Sequence, residues 1–86
     1  MQAEIVRRLQ VLQPETLQLE DESALHQGHR GNNGGGHFRL SVKSSQFSGK
    51  SQIMRHRMVY QLLQDLMPHQ IHALSIQASS PEESSV

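Results

Sequence analysis

The hydrophobic residues of this chain fall into successive segments whose spacing switches between the period of a helix and that of a strand. Ile5, Val6, Leu9 and Leu12 recur at helical spacing with Arg7, Arg8 and Gln10 on the other side, which predicts an amphipathic helix over residues 2–12 that Pro14 ends. Leu17 and Leu19 then alternate with Gln18 and Glu20, and Phe38, Leu40 and Val42 alternate with Arg39, Ser41 and Lys43. That alternation is the period of half-buried strands. Gly49 suits a turn and Ser51 a helix cap. Beyond them, Met54, Met58, Val59, Leu62, Leu63 and Leu66 share one broad apolar face, opposite Arg57, Gln61, Gln64 and Asp65. Pro68 closes this main helix, which a short separate turn precedes, and Leu74, Ile76 and Ala78 alternate with Ser75 and Gln77 as a third strand. The order predicts an α+β layer: a three-stranded sheet with helices on one face.

Five of the six glycines lie in the tract HQGHRGNNGGG between the first two strands. Such a tract gains too little from packing to offset its chain entropy, so residues 27–36 are expected to be a flexible loop. The tract lacks the lysine spacing and the following helix of a phosphate-binding loop. Residues 1–80 make one domain, with a polar tail over residues 81–86, and SPEE over residues 80–83 opens like a capped helix. A chain of 86 residues builds only a small core, and with no Trp, one Tyr and two Phe that core is aliphatic. The cysteine count of zero excludes disulfides, thiolate metal sites and a thiol nucleophile from this chain, and is compatible with a reducing compartment. Eight basic and eight acidic side chains balance, so electrostatic binding must come from a local patch. No segment approaches the ~20 apolar residues of a membrane span, nor does the start read as a signal peptide. A soluble, cytoplasmic protein is expected, a monomer or weak homodimer when free.

Several blocks stand in a fixed order: Asp21-Glu22-Ser23 with His26 shortly after, His37-Phe38, FSGKSQIMRHRMVY over residues 47–60, and IHALSI over residues 71–76. Together they resemble the BolA family, over residues 4–81. The resemblance implies an αββααβ layout similar to that of class II KH domains.

Six histidines in a chain without thiols bring neutral imidazole, a borderline ligand for iron, copper or zinc. His72 has the parity of Leu74 and Ile76, which puts it on the apolar side at the entrance of the third strand, partly shielded. The resemblance implies that the histidine of the IHAL motif, His72, and a loop histidine, His26 or alternatively His29, hold a [2Fe-2S] cluster shared with a monothiol glutaredoxin and glutathione. Two imidazoles fill one iron only, so the glutaredoxin cysteine and the glutathione thiol would supply the rest. A His-x-x-His pair in the loop does not complete the usual four-coordinate zinc site. His37 is expected to pack or bond locally, and His69 to be a solvated turn residue. An adaptor in iron-sulfur trafficking or iron and redox regulation would follow.

Lys50, Arg55, His56 and Arg57 crowd the start of the main helix, against the positive end of its dipole, a cost that nucleic-acid phosphate would relieve. BolA proteins have been linked to transcription control, so a DNA-binding transcriptional regulator is the alternative reading. The segment shows no GXXG loop of the kind KH domains use, and the bland reading is a solvated rim in which Arg55 and His56 cover the apolar face with their stems. No GxSxG, HExxH or other catalytic motif appears, and the chain reads as a binding protein rather than an enzyme.

Overall fold

In the computed structural model, which describes residues 1–23 and 36–83, the predicted elements appear in the predicted order. Helix α1 spans Gln2–Leu9 and tightens into a 3-10 turn over Gln10–Leu12, at whose end Gln13 takes a left-handed conformation ahead of Pro14. Strands β1 (Thr16–Asp21) and β2 (Gly36–Lys43) pair antiparallel, with Leu17 opposite Val42 and Leu19 opposite Leu40. The expected separate turn is a 3-10 turn over Ser45–Phe47, followed by Gly49 at φ 75° and by α2 over Gln52–Leu63. The Ser51 side chain caps α2, accepting from the Met54 N–H at 3.2 Å. A second 3-10 turn, Gln64–Leu66, leads to β3 (Ile71–Ser79), which pairs parallel with β2. The sheet order is therefore β1-β2-β3 with mixed polarity.

The core lies between one sheet face and the two helices. Ile5, Leu9 and Leu12 come from the first helical segment, Phe38, Leu40, Val42, Ile71 and Ala78 from the sheet, Phe47 from the 3-10 turn before α2, and Val59, Leu63 and Leu66 from α2 and the turn that follows it. Arg8 joins the helices: its Nε donates to Glu4 at 2.7 Å, and its two terminal nitrogens reach the Leu62 carbonyl at 3.2 Å and Asp65 at 2.9 Å. Hydrogen bonds from Arg7 and then Arg8 hold the Glu4 carboxyl below its ordinary range, and Arg8 does the same to Asp65.

The apolar stripe of α2 begins at Arg55 instead of Met54, a rotation of about 40° from the expected face. The buried positions are Arg55, Val59 and Leu63, continued by Leu66, while Met54 is 44% exposed. A stripe at i, i+4, i+8 places Met54 about 140° away from its centre, while Met58 and Leu62 flank it as half-buried apolar neighbours. Arg55 fits there because its guanidinium carbon lies over the Phe47 ring, 6.0 Å from its centre, while its nitrogens find four acceptors.

Candidate functional site

The register of β3 corrects the placement of His72. Gly36 pairs with Ile71 but His37 pairs with Ala73, so β3 spends one extra residue, His72, in a β-bulge. A single inserted residue exchanges the faces of everything on one side of it. Leu74, Ile76 and Ala78 keep the core side opposite Phe38, Leu40 and Val42, and across the bulge Ile71 takes the core position with 0% exposure. His72 is exposed on the opposite face instead of sharing the apolar side with Leu74 and Ile76. There its ring stacks on that of His37, with centroids 5.1 Å apart and planes 29° from parallel.

His37 is itself held by the Asp21-Glu22-Ser23 block. The Glu22 N–H donates to the His37 carbonyl at 2.7 Å, the His37 N–H donates to Ser23 Oγ at 3.0 Å, and the Ser23 N–H closes a turn onto Asp21 Oδ1 at 2.9 Å. Hydrogen bonds from Ser23 hold the Asp21 carboxyl below its usual range. Glu22 adds an ion pair with Arg39 at 3.2 Å, and a shallow cleft of about 280 Å3 is lined by Glu22, His37, Ala73 and Ser75. Blocks far apart in the sequence thus form one clamp that fixes where the chain leaves β1 and where it enters β2. His26 and His29 lie outside the described residues, and among the described residues no group of three or more His, Asp or Glu side chains could hold a metal ion. The donor set of His72 and His37 suits part of a site completed by another molecule: accessible imidazole nitrogen, no thiolate and no carboxylate cage.

The basic segment is divided by the fold. Arg55 is 3% exposed and donates to the Lys50 carbonyl at 2.9 Å, the Ala78 carbonyl at 3.1 Å and both oxygens of Glu83 at 2.6 and 3.1 Å. It is withdrawn from the solvent-facing set in which the sequence placed it, because these acceptors satisfy its charge internally. Lys50 and Arg57 are exposed and His56 is half-buried. Glu83, which sequence reasoning assigned to the polar tail, was signalled by the spacing Ser80-x-x-Glu83, since its Oε1 accepts from the Ser80 N–H at 2.9 Å as in a capping box. Hydrogen bonds from Arg55, and secondarily from the Ser80 N–H, bring the Glu83 carboxyl down to about 2.

Comparison with known proteins agrees with the fold. The family model described as BolA-like protein matches residues 9–83. The chain is 45% identical over 78 residues to SufE-like protein 1, chloroplastic/mitochondrial, of Arabidopsis thaliana, covering 84% of this chain and 21% of that protein. It is 39% identical over 71 residues to the DNA-binding transcriptional regulator BolA of Haemophilus influenzae, covering 83% of this chain and 67% of the regulator. The chain therefore spans about a fifth of the first relative's length and two thirds of the second's. The solved BolA domain of SufE1 from Arabidopsis thaliana superposes with a TM-score of 0.81 at 44% identity, covering 94% of this chain and 92% of the domain. No helix among the described residues is long and apolar enough to cross a membrane. With the family model spanning residues 9–83, the mixed three-stranded sheet and the two packed helices, the chain belongs to the BolA family.

Proposed function

We propose that this chain is a binding adaptor that docks a monothiol glutaredoxin and contributes histidines to a [2Fe-2S] cluster shared with that partner and glutathione, in iron-sulfur trafficking or in iron and redox regulation. The observation that carries the reading is the bulge at His72, which lifts an imidazole out of the core and onto the open face of the sheet, where a second molecule can reach it. The second ligand in this reading is His26, with His29 as its alternative. The resemblance favours His26, whose distance along the chain from the Asp21-Glu22-Ser23 block matches the family. His37 is a further imidazole at the same place, and its stack on His72 limits the rotation of both rings.

The cluster would supply electron storage and a transferable iron-sulfur unit, and the residues of this chain would orient two neutral imidazoles and exclude thiolates from one side. Ligation through imidazole is proton-sensitive, because only the neutral ring binds. Glutathione as a co-ligand places the complex in a reducing compartment, the cytoplasm in the present reading. The test is anaerobic reconstitution of the chain with a monothiol glutaredoxin, glutathione, iron and sulfide. A visible spectrum distinct from that of glutaredoxin alone is expected, and His72→Ala should abolish the difference. The same spectrum from the variant would remove the proposal.

A second reading, DNA-binding regulation, draws on the name carried by the Haemophilus influenzae relative. In this chain the exposed cations at the start of α2 reduce to Lys50 and Arg57, with His56 half-buried beside them. Two phosphate contacts give weak binding that falls with salt at a slope of about −2. A flat salt response, or affinity unchanged by Lys50→Gln with Arg57→Gln, excludes that reading.

A further inference from the structure

The two edges of the sheet are guarded unequally. Along β3, side chains of α2 occupy two of the outward carbonyls: the Tyr60 hydroxyl donates to Leu74 at 3.3 Å and Arg55 donates to Ala78 at 3.1 Å. Along β1 the ladder fixes which groups face outward. Glu22 bonds His37, and the register pairs Glu20 with Arg39 and Gln18 with Ser41, so the N–H and C=O groups of Leu17 and Leu19 face away from the sheet. Among the described residues one contact reaches them, a long one of 3.5 Å from Gln2 Nε2 to the Leu19 carbonyl. The strand runs six residues without proline, lysine or bulge, the devices that usually blunt an edge.

A mostly apolar cleft of about 640 Å3 adjoins this edge, lined by Gln2, Ala3, Val6 and Arg7 of α1 and by Leu17 and Leu19 of β1. Carboxylates stand at both ends of β1: Glu15 before the strand, and Glu20 and Asp21 at its close. No described cation pairs with Glu15 or Glu20. A second copy of the chain is disfavoured in the register that pairs Leu17 with Leu19. In an antiparallel pairing of two β1 strands centred on Gln18, Asp21 of each copy would face Glu15 of the other, and like charges directly opposite are destabilising.

We propose that the β1 edge and the cleft beside it dock an extended segment of a partner protein, which adds as a fourth strand. Its backbone bonds to Leu17 and Leu19, its alternate apolar side chains enter the cleft against Val6 and Leu19, and lysine or arginine at its ends meets Glu15 and Glu20. This site is separate from the histidines and does not depend on the cluster.

The test uses the full chain, 15N-labelled, without iron or glutaredoxin. The probe is a capped heptapeptide, Lys-Val-Thr-Val-Thr-Val-Lys, and its counterpart carries Glu at both ends. Saturation with the lysine peptide should slow amide exchange at Leu17 and Leu19 roughly ten-fold or more, since strand addition gives those outward N–H groups acceptors. The Glu-ended peptide should bind roughly five-fold more weakly or worse. Ala3→Lys, at an exposed helical position, should weaken the lysine peptide by a similar factor without changing the thermal melt of the free chain. Four results would overturn the proposal: slow exchange at both leucines already in the free chain, protection appearing along β3, equal binding of the two peptides, or protection that grows with chain concentration and needs no peptide.

Discussion

Replacing Arg55 by Met keeps most of the stem that packs in the core and removes only the guanidinium, so the change isolates the polar role of a buried cation. The Ala78 carbonyl is buried and receives its Arg55 bond at 3.1 Å, while the Lys50 carbonyl is partly buried and receives one at 2.9 Å. Leaving a buried acceptor unmade costs about 1–3 kcal/mol, and losing a hydrogen bond where water can substitute costs about 0.5–1.5 kcal/mol. The half-exposed Glu83 carboxylate returns to solvent and is assigned no energy. The expected loss is therefore about 2–4 kcal/mol, out of a total stability of about 4–13 kcal/mol for a chain of this length. Urea denaturation followed by far-UV circular dichroism should show a midpoint lowered by about 1–3 M at unchanged slope. Arg57→Met, at an exposed site, should move it by a small fraction of that. A loss below about 0.5 kcal/mol for Arg55→Met would refute the assignment of this residue as structural and return it to the solvent-facing basic set.

Three further outcomes are expected. Glu83 has a depressed carboxyl in the folded chain, so its contribution to stability is present above its ordinary value of 4.5 and is lost as pH falls towards about 2. Denaturation midpoints measured between pH 7 and pH 2.5 should fall less steeply in Glu83→Gln than in the parent. Ile71→Ala should cost about 2–5 kcal/mol by chemical denaturation, whereas the neighbouring His72→Ala should stay within about 0.5 kcal/mol, because the bulge sends one inward and the other outward. Gly36→Ala would place its Cβ 2.3 Å from the buried Phe38 ring, and equilibrium denaturation should report about 1–3 kcal/mol of destabilisation from the forced repacking.

The order of elements was legible because each element buries one face, and one-sided burial writes its own period into the sequence. Pro14, Gly49 and Ser51 marked boundaries by mechanisms local to the chain, and all three act there as expected. The face of α2 was harder to read, since Arg55 carries a charge that periodicity counts as polar, and only the acceptors gathered from Lys50, Ala78 and Glu83 make its burial favourable. His72 was misplaced for a related reason. Parity counting assumes an unbroken ladder, and the inserted residue in β3 is a property of its pairing with β2, which no single segment encodes. The contact of the Asp21-Glu22-Ser23 block with His37 was likewise invisible, because the hydrogen bonds joining them span fourteen and fifteen residues. His26 and His29 lie outside the described residues, and their proposal as ligands rests on the resemblance.

The central claim is that an imidazole of this chain, set outward by a bulge, becomes a ligand of iron in a complex with another protein. Pulsed electron paramagnetic resonance of the reduced complex, assembled from this chain with 15N-labelled histidine and an unlabelled glutaredoxin, tests it most directly. The account predicts 15N hyperfine couplings of directly ligated imidazole, lost when His72 is replaced by Ala. A cluster that shows no coupling to histidine nitrogen, or one whose couplings survive that replacement unchanged, would contradict it.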